Sequence, residues 1–149
     1  MKKLLTITLT SILLLGCTST TSMSLKEKNS AYSKYVLDEN LSNKDKVEGF
    51  KFSGWKSLSD NYLIITAVHK KDYLIETKGR CIDLNDSLGI KLNRSSNFAI
   101  YKLGDSISPV GLTPESEISN KCFIKSIYPI TRLQTDYLVK IGKPVKSES

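Results

Sequence analysis

The chain has 149 residues, carries 22 basic against 15 acidic side chains for a net charge of +7, and is 40% hydrophobic. That length holds one modest domain plus a tether, not a multidomain enzyme. The basic excess is spread along the chain with no basic-aromatic stripe, which argues against nucleic acid as a partner.

The first element is an N-terminal export signal. Lys2 and Lys3 form a positive start, Leu4 to Leu15 is apolar apart from Thr6, Thr8, Thr10 and Ser11, and Leu14-Leu15-Gly16-Cys17 closes it. Such an arrangement predicts a lipoprotein signal peptide over 1–16, cut before Cys17, with Cys17 as the site of lipid attachment. The apolar run is about 18 Å of helix, short of the ~30 Å hydrocarbon core, so it does not read as a membrane span. Cleavage leaves 133 residues and, with Lys2 and Lys3 gone, a charge of +5. The expected location is a bacterial cell envelope, with the protein held to the membrane through Cys17. If the host has two membranes, Thr18 after the cysteine points to the outer one, facing the periplasm. There the two remaining cysteines, Cys81 and Cys122, meet oxidising conditions and are expected to pair as one disulfide.

Residues 17–29 are polar and without periodicity, and read as a flexible tether. A single β-rich domain is expected over 30–141. It opens on a short helix capped by Ser30, with Tyr32, Tyr35, Val36 and Glu39 at helical spacing. Leu41 to Glu48 reads as loop. From Gly49 strands follow: Phe50 and Phe52 alternate with polar residues, and Tyr62 to Val68 is apolar on both faces, as in a central strand. The turn His69 to Asp72 leads into Tyr73–Thr77, making a hairpin. Leu88 to Leu92, Phe98 to Leu103 and Cys122 to Ile127 are further strands, and Ile130 to Ile141 holds one more. Gly104-Asp105-Ser106 is a turn, and Pro109, Gly111 and Pro114 mark an irregular crossing. About six strands and one helix predict a mainly β fold, with α+β as the alternative: a compact antiparallel sheet or small barrel. Residues 142–149 read as a disordered basic tail.

Several strings imitate chemistry without carrying it. Ser53-Gly-Trp55-Lys56 and Ser59-Asp60-Asn61 match fragments of penicillin-binding enzymes, but lie too close together and lack the third motif. Asp83-Leu-Asn85-Asp86-Ser87 starts like a calcium loop, yet its sixth position is Leu88 and its twelfth is Arg94. His69 is the only histidine and falls in a lysine-rich turn, so neither a nucleophile–base pair nor a zinc site can be assembled from it. No catalytic residue, metal or cofactor is assigned. Asp105 is read as a turn residue, with a ligand-facing role as its alternative. Trp55 is read as core, with a surface platform as its alternative.

The order of these elements resembles a family of small exported bacterial proteins known only as a domain of unknown function. The marks are an apolar hairpin (Tyr62–Thr77), Cys81, the Gly104-Asp105 turn and Cys122-Phe-Ile, between Phe50 and about Leu133. The resemblance implies no activity. The expected role is therefore binding or scaffolding of an envelope protein or cell-wall partner. One alternative is an envelope hydrolase using two carboxylates among Asp83, Asp86, Asp105 and Glu115. Another is an inhibitor of an envelope-targeting enzyme such as lysozyme, which the +5 charge disfavours because lysozymes are commonly basic.

Overall fold

The computed structural model describes residues 22–111 and 121–143, so Cys17, the leader, Pro114, Glu115 and the last six residues lie outside the described part. It is mainly β, with eight strands in antiparallel sheets, one of them nearly closed like a barrel, and two short helices. In chain order these are α1 (Leu25–Asp38), β1 (Lys46–Glu48), β2 (Phe52–Ser57), β3 (Tyr62–Ala67), β4 (Lys71–Thr77), β5 (Gly89–Asn93), β6 (Ala99–Tyr101), β7 (Ser106–Val110), β8 (Cys122–Ile130) and α2 (Arg132–Lys140). The large sheet runs β2-β3-β4-β8-β7-β5, and β1 pairs with β6 beside it.

The central hairpin is where the sequence places it. In β3, Leu63, Ile65 and Ala67 point into the barrel, while Tyr62 and Ile64 point out under the helices. Period-two alternation with both faces apolar requires cover on both sides, and α1 and α2 supply the outer cover. Two cores result. One fills the barrel around Ile65, Ile75, Ile107 and Ile124; the other lies beneath the helices around Tyr32, Ile64, Leu74 and Leu138. β8 serves both by changing parity. Glu76 pairs with Ser126 and Thr77 with Ile124, so Lys125 is an extra, bulged residue. Ile124 and Ile127 therefore both face the barrel interior, and Tyr128 and Ile130 face the helices. Ser53 is a second bulge, on β2.

The barrel's two edges, β2 and β5, are pinned at each end rather than laddered. The Ser57 hydroxyl donates to Asn85 Oδ1 at 2.5 Å, and Arg94 donates to the Phe50 carbonyl at 3.3 Å. Trp55, Ile90 and Leu92 pack half-buried against the barrel core. Trp55 thus packs on the margin of the core, partly exposed.

Four expectations are corrected. The first helix starts at Leu25, not after Ser30, because Ser24 and Glu27 form a capping box. Residues 25–29 thereby belong to the domain rather than to a tether. The segment after Ile130 is a helix, not a strand. Thr131 caps it, Gln134 completes the box, and Thr135 and Leu138 recur at helical spacing on its buried side. The irregular crossing at Pro109 is strand β7, where Pro109 lies opposite Ile90 and beyond the short Ser106–Ile107 ladder to β8. A missing N–H is tolerable there because β8 offers it no partner. β1, inside the expected loop, is a short strand.

Candidate functional site

The Cys81–Cys122 disulfide is formed, with the Cα atoms 5.4 Å apart and both residues buried in the barrel core. It joins the segment after β4 to the first residue of β8, its sheet neighbour. Cys81 also donates its N–H to the Asp60 carbonyl at 2.6 Å. The bridge therefore reaches directly into a polar knot on the α1 side of the sheet.

Asp60 is the centre of that knot. It is buried in the β2–β3 turn and accepts from Asn29 Nδ2 of α1 at 2.7 Å and from Arg80 Nε at 2.5 Å. Asn29 Nδ2 also donates to Asn61 Oδ1 at 3.0 Å, while its own Oδ1 is buried without a partner. Burial pushes the Asp60 carboxyl up, but the bonds from Asn29 and Arg80 and the Arg80 charge outweigh it, holding the group below its ordinary value. Its linkage to stability has a definite sign. A carboxyl with a lowered folded pKa contributes stability that is complete above the unfolded value of about 4 and is lost as pH falls through the folded one. Asp60→Asn should accordingly flatten the acid limb of the stability curve below about pH 4, read by urea unfolding across pH. An unchanged acid limb would show that Asp60 is not the group responsible.

Beside the knot runs a shallow groove of about 520 Å³ between α1 and the sheet, lined by Ser30, Ser33, Lys34, Asn61, Tyr62 and Glu76, among others. Asn29 lines both this groove and a second one of about 380 Å³ that ends on Arg80. Glu76 is paired with Lys125 at 2.6 Å. Burial, then the Glu76 charge, pushes the Tyr62 hydroxyl upward, so it remains protonated. The groove thus presents hydroxyl and amide groups with its charges already paired.

The two other buried aspartates are also committed to holding the fold. Asp72 accepts from Thr66 at 2.7 Å and from Thr135 of α2 at 2.8 Å, with Arg132 3.6 Å away, so it fastens α2 to the β3–β4 hairpin. Asp105 accepts from Ser95 N at 3.0 Å, Ser95 Oγ at 3.1 Å and Tyr101 N at 2.8 Å. Asp105 is 1% exposed, and these three bonds hold its carboxylate within its own loop. Gly104 before it has φ +100°, a conformation that L side chains rarely adopt.

The remaining sequence candidates disperse. Ser59 is buried and accepts from the N–H groups of Asn61 and Tyr62, so Ser59-Asp60-Asn61 is a turn. Asp83 and Asp86 sit in the exposed turn that inserts Leu84 into the core. Of the hydrolase quartet, Asp105 is enclosed, Asp83 and Asp86 are exposed in their own turn, and Glu115 lies outside the described residues. His69 is exposed in the β3–β4 turn with φ +68°. Sequence reasoning missed Asn29, Asp72 and Glu76. The available signal was faint: a polar residue one turn before Tyr32 on the same helix face, and acids within otherwise apolar strands.

A small, disulfide-stapled, β-rich domain closed by two helices is the class these features define. Residues 1–141 match the model of a family of unknown function, DUF6491, and the chain belongs to that family. The match takes in the N-terminal segment and both helices, beyond the part of the chain that carries the sequence resemblance. No curated protein and no solved structure matches.

Proposed function

We propose that this is a lipid-anchored cell-envelope protein, fastened through Cys17, whose domain binds or scaffolds an envelope partner without chemistry of its own. The observation that carries the reading is the buried Cys81–Cys122 disulfide, which fits a compartment where thiols oxidise. The leader ending in Leu14-Leu15-Gly16-Cys17 supplies the anchor, and the outer membrane facing the periplasm is its place in a two-membrane cell. A binding role is supported by the use of all three buried aspartates as hydrogen-bond acceptors within the fold. The open groove along α1 is the surface offered to a partner.

Radioactive palmitate tests the anchor. Two acyl chains give effectively stable attachment, because each buried methylene contributes about 0.8 kcal/mol and one chain alone is marginal. Wild-type protein should take up label, while Cys17→Ser should take up none and remain as uncut precursor. Unlabelled wild-type protein would sink the anchoring claim. Cross-linking in intact cells then tests the partner: a probe placed at Ser33 should capture one envelope component, and a probe at exposed Leu103 should not.

A further inference from the structure

From the placement of four lysines around the tether's point of entry, we infer that the domain docks on its own membrane, through a basic corner that meets anionic phospholipid headgroups. This rests on the lipid-anchor reading. Ser22 lies five residues after Cys17, so even a fully extended link reaches at most about 18 Å. The start of α1 is therefore kept next to the bilayer.

What sits at that corner is basic. α1 and α2 run antiparallel: Tyr35 stacks on Tyr137 with centroids 5.2 Å apart, and Gln134 lies 3.5 Å from Glu39. The start of α1 thus adjoins the end of α2. Gly142, at φ +72°, lies so close to α1 that a Cβ there would be 2.8 Å from Lys28 Cε and 3.3 Å from Met23 Cβ. Lys28 is thereby brought beside the segment that carries Lys140 and Lys143, and Lys26 lies on the other flank of the first turn, towards Asp60 and Arg80. One acid, Glu27, shares that turn, and its carboxylate is occupied by the Ser24 cap. Nearby Arg80 is paired with Asp60. Among the described residues, four lysines against one carboxylate, at the end where the chain reaches the bilayer, complement an anionic headgroup layer. Each lysine near such a surface changes the ratio of docked to undocked domain about five-fold, an effect that salt screens within about a Debye length.

The test uses the mature lipoprotein purified from membranes and placed in nanodiscs with a nitroxide on the lipid headgroups. In phosphatidylglycerol discs, the amide signals of Lys28, Lys140 and Lys143 should broaden. In phosphatidylcholine discs, or at high salt, the broadening should fall to the weaker level that the tether alone imposes. Replacing Lys28, Lys140 and Lys143 together by Gln should lower it to that same level in phosphatidylglycerol, whereas replacement by Arg should preserve it, which separates docking from misfolding. Broadening in phosphatidylglycerol no stronger than in phosphatidylcholine, or unchanged by the Gln replacements, overturns the docking. Intact mass of the same sample separates the two failures: protein without acyl chains refutes the anchor, and docking falls with it.

Discussion

Cys122→Ser is expected to lower the unfolding free energy by about 4 kcal/mol, the entropy of closing a loop of roughly 40 residues. The bridge spans a sequence separation of 41 and lies within the barrel core. Such a loss is a large share of the 5–15 kcal/mol typical of a domain. For a domain of this size it corresponds to a fall in Tm of roughly 10–20 °C. The damage should also be directional. Cys81 holds the Asp60 carbonyl, and Arg80 beside it holds the Asp60 carboxylate, so the knot beneath α1 should loosen first. Thermal unfolding of the variant, with labelling of the newly exposed Cys81 thiol, reads both effects. A Tm within a few degrees of wild type would mean that the bridge contributes little to the fold.

Asp105→Ala is expected to be nearly as damaging, at about 3 kcal/mol. Hydrogen bonds to a charged group contribute about 1.5–3 kcal/mol each, and a buried donor left without its acceptor costs about 1–3 kcal/mol. The substitution strands the N–H groups of Ser95 and Tyr101 together with the Ser95 hydroxyl. Asp105→Asn keeps one acceptor oxygen but turns an NH₂ toward a donor, so it should fall between Ala and wild type. Urea unfolding gives the magnitudes, and amide exchange should show lost protection at Ser95 and Tyr101 specifically. Wild-type stability in Asp105→Ala would remove the carboxylate from the turn and reopen it as a ligand group.

The parts of this fold legible in the sequence are those that local pattern dictates. Tyr62 to Thr77 announces its hairpin through apolar runs on both sides of a short polar turn. Gly104-Asp105 announces a turn through the conformation glycine allows and the acceptors aspartate offers. The paired thiols follow from cysteine count and expected compartment. Less legible was everything decided by distant partners. Tyr137, Leu138 and Val139 suit a strand as readily as a helix, and the Thr131–Gln134 cap decides for helix. At the other end Ser24 and Glu27 carry the same signal, but a run of small polar residues before them reads as tether. Lys125 gives no local sign that it is a bulge, because the parity change follows from Ile124 and Ile127 both finding room in the barrel. Asp60 and Asp72 look like surface acids until Asn29 and Thr135 arrive from helices that are distant in sequence.

The proposed export and lipid anchoring, together with the disulfide, can be read from a single intact mass: that of the native protein, isolated from membranes, alkylated and left unreduced. The expected species is a chain beginning at Cys17, carrying the mass of attached acyl chains, with no alkyl label on Cys81 or Cys122. A full-length chain without acyl mass, or one with label on both of those cysteines, would contradict it.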